Sequence, residues 1–293
     1  MPNAHPIFQR YPLSAEAVQT STGPQPTPYH VYDGHAVLIG GTADLASVKK
    51  LLQHEHVLPA QTQSGRALMA VWAVDEPQAS HGAHTEMQVS FYVTPKPVAA
   101  VRDGAFAVLN FLLNTPGASQ LCHGLWNNTP NVVAYNREVL GLAPRLARSV
   151  FHYAADRLQF EFEDAASGQP LMRGDVRMLA RQPMGAAMAL IKSFGFVKAM
   201  QAAAIKTVQT YVTNPIGTVL PHNANALTVS ASDTLVAQLF EPAHDKLALL
   251  DGTYSALDFK PEFVEHMRGF KMVYLNPRVD LNTFANLRLP ARE

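Results

Sequence analysis

His81, His84 and Glu86 stand in the order H-x-x-H-x-E, and two chemistries fit that trio. Imidazole nitrogens and a carboxylate are metal ligands, so a zinc-type site is one of them. The other is acid–base catalysis, in which a carboxyl shielded from water holds a proton near neutral pH. Spacing bears on the choice. On an extended strand His84 and Glu86 share a face, whereas His81 lies across Gly82 in an expected turn. Neither His54-Glu55-His56 nor His222 adds a ligand pair of diagnostic spacing. No metal is therefore assigned. No cofactor is assigned either, because Gly34, Gly40 and Gly41 do not make a dinucleotide fingerprint and no phosphate loop is present;. Ser, His and Asp all occur, but without the G-x-S-x-G elbow of a serine nucleophile. Cys122, the single cysteine, excludes an intramolecular disulfide and reads as a small buried hydrophobe;.

Positioning Glu86 falls to a strand. From Glu86 to Val93 the chain alternates, with Met87, Val89, Phe91 and Val93 on one face and Glu86, Gln88, Ser90 and Tyr92 on the other;. The polar face is either a lumen or a solvent face. Ala67–Val74 is a continuous apolar run and reads as a buried strand. Val37–Gly40 reads as a short strand, followed by a helix capped by Thr42 or Asp44 that carries Leu45, Val48, Leu51 and Leu52 on one side. Leu158–Glu163 and Leu171–Leu179 flank a polar turn and predict a hairpin. Residues 184–210 predict an amphipathic helix with Lys192, Lys198 and Lys206 in one arc. Ala226–Ser230, Leu235–Phe240, Tyr254–Phe259 and Lys271–Leu275 read as further strands. Many short strands with a few helices predict a mainly β, α+β domain.

The composition sets outer bounds. At 293 residues, 47% hydrophobic and 16% charged, the chain can bury a large core;. Lys+Arg and Asp+Glu are both 23, which argues against a nucleic-acid partner. No apolar run suits a signal peptide or a membrane span, so a cytoplasmic protein is expected. Asn127-Asn128-Thr129 is a glycosylation sequon, which means little without a secretory signal.

Several stretches, in order, resemble the acetoacetate decarboxylase family. Thr27-Pro28-Tyr29-His30-Val31-Tyr32-Asp33 resembles its Gly-Pro-Tyr segment, and the helix from Asp44 to Leu52 sits where the family has a capped helix. His84-Thr85-Glu86 resembles its Tyr-x-Glu, and Asn136-Arg137-Glu138 with Gly141 and Pro144-Arg145 resembles its Gly-Arg-Glu … Pro-Lys element. Residues 237–241 and 255–259 resemble its closing strands. The resemblance implies a cone-shaped antiparallel β-barrel with an internal cavity over residues 28–278, between an N-terminal arm (1–27) and a C-terminal tail (279–293). It also implies a homo-oligomer and a small-molecule substrate. The family's catalytic lysine follows the proline, and here Arg145 stands there, which cannot act as an amine nucleophile. There is one extra residue before Pro144, the family's arginine aligns with Gly34, and its acidic residue on the second strand falls near Val71 or Trp72. An apparent insertion between Leu113 and Val132 is placed at the cavity rim.

The resulting expectation is a lyase-like enzyme acting on a small oxo or enol carboxylic acid. Glu86 and Arg145 are the candidate catalytic residues, and Tyr32, Trp72, His84, Arg137, Glu138 and Leu142 are candidate substrate contacts. Arg145 would hold a substrate carboxylate or else make a structural ion pair with Glu138 or Glu161; Arg137 and Glu138 could instead brace the turn. The alternatives are a non-catalytic barrel that binds an apolar small molecule and, behind it, a haem- or metal-binding barrel. With no lysine between Lys96 and Lys192, borohydride treatment in the presence of acetoacetate should leave the intact mass unchanged. A stoichiometric adduct on any lysine would overturn this reading of the turn.

Overall fold

The computed structural model describes residues 5–55, 57–194, 212–217 and 224–280. A short helix α1 (Pro6–Arg10) and a small hairpin, β1 (Val18–Thr20) with β2 (Gly23–Gln25), precede the main sheet. Then follow β3 (Tyr29–Asp44), α2 (Leu45–Leu51), β4 (Leu58–Pro59), β5 (Arg66–Ala79) and β6 (His84–Thr94). The middle of the chain gives α3 (Ala107–Asn114), β7 (Ser119–Asn127), α4 (Pro130–Glu138), β8 (Pro144–Tyr153), β9 (Arg157–Asp164), β10 (Pro170–Arg177) and α5 (Met184–Phe194). The last strands are β11 (Val212–Gly217), β12 (Ala224–Ala231), β13 (Thr234–Leu239), β14 (Lys246–Leu249), β15 (Lys260–Arg268) and β16 (Lys271–Asp280).

One 14-stranded sheet contains β3 to β16. Glu86–Val93 and the hairpin of β9 and β10 thus belong to the same sheet, joined through β7 and β8. Followed pair by pair, the ladder from β6 through β7, β11, β12, β16, β3 and β5 returns to β6. Two pairs, β7 with β8 and β7 with β11, are parallel, where an all-antiparallel sheet was expected. For β7 and β8 the reason is α4, which carries the chain back across the sheet as a crossover requires. The stretch read as a rim insertion is therefore largely β7, a central strand bonded to β6 as well as β8.

Other expectations change in length, and one, the strand expected at Tyr254–Phe259, changes in kind. The short strand at Val37–Gly40 is the middle of the 16-residue β3. Asp44, not Thr42, caps α2: its Oδ1 accepts from the Ser47 amide at 2.8 Å;. The described part of the 184–210 helix ends at Phe194, so Lys198 and Lys206 lie outside the described residues, as do 281–293 of the tail. At 255–257 the chain makes a single 3-10 turn, closed by Asp258 at φ 47°, and the strand begins at Lys260. Within the N-terminal arm, Ile7 and Phe8 are buried against Val273.

The sheet is covered on both sides. One face carries Leu38, Leu68, Tyr92, Phe106, Phe111 and Tyr274; the other carries Ile39, Met69, Phe91, Trp126, Phe160 and Tyr254. Close approach between strands fixes some positions. A Cβ built on Gly41 would lie 2.0 Å from the Lys260 carbonyl oxygen, a backbone atom that cannot rotate away. Gly41→Ala should therefore cost about 1–3 kcal/mol in urea unfolding, the usual range for overpacking. Gly185→Ala, in α5 with open space around it, should be neutral or stabilising by up to about 1 kcal/mol. Equal stability of the two variants would contradict this register.

Candidate active site

Glu86 enters the inner face of β6 and is buried, with 3% of its surface exposed. Backbone register decides its company. Across β5 it pairs with Val74, and His84 pairs with Glu76; across β7 it pairs with Asn127. The β5–β6 turn is anchored to β3 by reciprocal bonds between His30 and Ser80, with Gly82 at φ 89° closing it;. Gly82 then offers its carbonyl to His84 Nδ1 at 2.8 Å. From α4, whose first turn starts at Pro130;, Tyr135 and Asn136 reach the same interior.

Two hydrogen-bonded groups result. In the first, Asn136 Nδ2 donates to Asn127 Oδ1 at 3.1 Å, and Asn127 Nδ2 donates to Glu86 Oε2 at 3.0 Å. The Tyr274 hydroxyl bonds the same carboxyl. In the second, the Tyr29 hydroxyl donates to Glu76 Oε2 at 2.8 Å, and His84 Nε2 touches both that hydroxyl and that carboxylate. The Tyr29 and Tyr274 rings, paired across β3 and β16, stack 5.0 Å apart and link the groups. His81 stands edge-on to Tyr29 and Tyr135, with centroids 4.6 Å and 4.3 Å away. Its Nδ1 bonds Ser80 Oγ at 2.9 Å, and its Nε2 has no partner.

Burial dominates the electrostatics. It pushes the Glu86 carboxyl up to about 7; the charge of Glu76 adds to this, while Asn127, His84 and Tyr274 partly oppose it;. For His84 burial favours the neutral ring, but the Glu76 carboxylate and the bonds to Glu76 and Gly82 outweigh it and raise the imidazole above its ordinary value. Burial, helped by the neighbouring His84, holds His81 down to about 3, a neutral ring. Burial likewise lifts the Tyr29 and Tyr274 phenols well above their usual range. Among the described residues no three His, Cys, Asp or Glu side chains group as a metal site, and no helix is long and apolar enough to cross a membrane.

The residues singled out from sequence are divided by this geometry. Glu86 and His84 are in the cluster. Trp72 faces inward one step along, paired with Gln88, its indole N–H without a partner. Leu142 is buried in the core that lines this face. Arg145 is not in the cluster. It pairs with Trp126, adjacent to Asn127 and so on the opposite face of β7, and its guanidinium lies 4.4 Å over the Trp126 ring, 4.0 Å from Asp251;. Tyr32 turns outward to pack on Phe8 and His30. Arg137 and Glu138 are exposed braces: Arg137 donates to the Pro144 carbonyl at 2.8 Å, and Glu138 accepts from the Ser21 amide at 2.9 Å. Tyr29, Glu76, Asn127, Asn136 and Tyr274 were missed. The Pro28-Tyr29 dipeptide and an acid ten residues before Glu86 were the available signals. A surface groove lined by Glu161, Arg173, Asp175 and Lys246 lies on other strands and shares none of these groups.

No family model matches the chain, and no curated protein does. Solved structures do. An acetoacetate decarboxylase from Legionella pneumophila superposes with a TM-score of 0.54 at 14% identity, covering 92% of each chain. A second acetoacetate decarboxylase gives 0.51 at 12% identity, covering 86% of this chain and 89% of its own. The enduracididine biosynthesis enzyme MppR, solved with pyruvate, gives 0.49 at 11% identity, covering 87% and 90%. The chain has the acetoacetate decarboxylase-like fold, mainly β with helices.

Glutamine imitates a protonated Glu86. The folded carboxyl, raised from 4.5 to about 7, contributes stability that is complete below about 4.5 and is lost as pH rises through 7. Between pH 5 and pH 8 the wild type should lose on the order of 2–3 kcal/mol more stability than Glu86→Gln. Parallel denaturant curves at the two pH values would refute the buried carboxyl.

Proposed function

We propose that the protein is an acid–base enzyme, lyase-like, acting on a small oxo or enol acid within a barrel lumen, with Glu86 as the group that exchanges the proton. The observation that carries this reading is a buried carboxyl poised at about 7, because a base is most effective when its pKa lies near the working pH. Asn127 and Tyr274 orient the carboxyl, and the stacked Tyr29 and Tyr274 rings wall the site on the β3–β16 side. Arg145 has no part in this mechanism, since it sits on the other face. The circuit of strand pairs from β6 back to β6 supports the barrel. The shared fold supports the lyase assignment;.

A binder without chemistry has one observation in its favour. The Trp72 indole N–H and the buried Tyr92 hydroxyl face the interior without partners, as donors awaiting a ligand would.

Deuterium exchange separates the two. With acetoacetate or pyruvate in heavy water, hydrogens beside the carbonyl should exchange in an enzyme-dependent way. The rate should rise through about pH 7 and level above it, because abstraction needs the ionised Glu86;. Glu86→Gln should slow exchange by about 10²–10⁴-fold. Saturable binding of either acid without exchange would leave the binder as the function.

A further inference from the structure

We propose that His84 is a positioning residue, the internal counter-ion that limits the buried carboxyl pair of Glu76 and Glu86 to a single proton. Its catalytic consequence rests on the acid–base reading above; its physical content does not.

The geometry starts at Gly82. A carbonyl oxygen can only accept, so the 2.8 Å contact to Gly82 O places a proton on His84 Nδ1;. Nε2 is then the nitrogen whose protonation varies, and it faces Glu76 Oε2 and the Tyr29 hydroxyl. All three groups are at most 3% exposed, so water cannot screen them. A lone buried carboxylate is costly, and two on one buried face that feel each other's charge cost more;. One cation among them neutralises one carboxylate and leaves the other to hold or release a proton. Tyr29 fixes the pair by donating to Glu76.

Every element packed around Glu86 agrees with this count. β3 and β16 contribute the phenols of Tyr29 and Tyr274, which burial keeps protonated. β7 contributes Asn127 and the buried Cys122 thiol, whose pKa burial also raises. The turn contributes His81, held neutral, and α4 contributes Tyr135 and Asn136. Among these facing groups, His84 is the one placed to carry positive charge.

The test needs no substrate. Infrared difference spectra of the free protein near pH 6.5 should show a larger protonated-carboxyl band in His84→Gln, by one further carboxyl, and Glu86→Gln should remove the band that the wild type has. In the wild type, nitrogen NMR of the His84 ring should show protons on both Nδ1 and Nε2 at that pH, a readout that survives even where the variant does not fold. A ring protonated on Nδ1 alone, or a band unchanged in a folded His84→Gln, would overturn the proposal. In the exchange assay the variant's break should move at least one unit alkaline, slowing exchange by at least about fivefold at pH 7, the drop in ionised fraction when a break near 7 moves to 8. Absence of exchange in the wild type with the spectroscopic results intact would remove the proposed function and leave the counter-ion standing.

Discussion

Strand β6 has no face toward water. It is bonded to β5 on one side and β7 on the other, and nearly all its residues are buried on both faces. Its alternating pattern therefore separates an apolar layer from a polar one that must satisfy itself inside the protein. Ser90 accepts from Gln120 Nε2 at 3.0 Å and from Gln88 as well, and Glu86 takes the Asn127 amide. Each group left without a bond would cost about 1–3 kcal/mol. The relay Glu86–Asn127–Asn136 consequently ties β6 to β7 and α4, while Tyr274 ties it to β16. The protonation of one carboxyl is thus mechanically connected to four elements.

Charge is distributed by the same constraint. The acids Glu76 and Glu86 are inside, and the guanidinium that sequence reasoning set against Glu86 is outside. Arg145 spreads over Trp126 and stays half exposed, where a cation keeps its hydration and still gains from the ring. Two other arginines pair with surface acids, Arg173 with Glu161 and Arg148 with Glu163, while Arg177 holds the buried Asp245. Exposed pairs of this kind contribute little to stability. The contact of His84 with Glu76 is different, because both side chains are buried and water does not screen them;.

Legibility followed periodicity. The inward set of Glu86, Gln88, Ser90 and Tyr92 could be read from alternation alone, as could the hairpin of β9 and β10. What alternation left open was whether the polar face met a lumen or solvent, since that depends on strands far away in sequence. β7 was missed because Ser119–Asn127 mixes Gly124, His123 and Cys122 without a period of two, and its burial on both faces removes the pattern. Glu76 was overlooked because β5 reads as an apolar run up to Val74, and the paired acid lies beyond the end of that run, next to Pro77. Arg145 was assigned to the site by its neighbours in sequence, a criterion that ignores which way a strand residue points.

That last point bears on how this fold can do chemistry here. Strand residues alternate between faces, so a position changes side only if the register slips by one. In the observed pairing Arg145 stands beside Trp126 on the outer side, while Leu146 stands beside Asn127, the residue that holds Glu86. Leu146 is itself exposed, and moving Arg145 to the Glu86 side would require the strand to slide against β7 and β9 together. The nitrogen bonded to Glu86 is the Asn127 amide of β7, and the basic nitrogen on the same strand face is that of His84, two residues away and paired with Glu76. A basic group fixed by the strand that carries the acid cannot form a covalent adduct and then swing clear, but it can hold a charge in place.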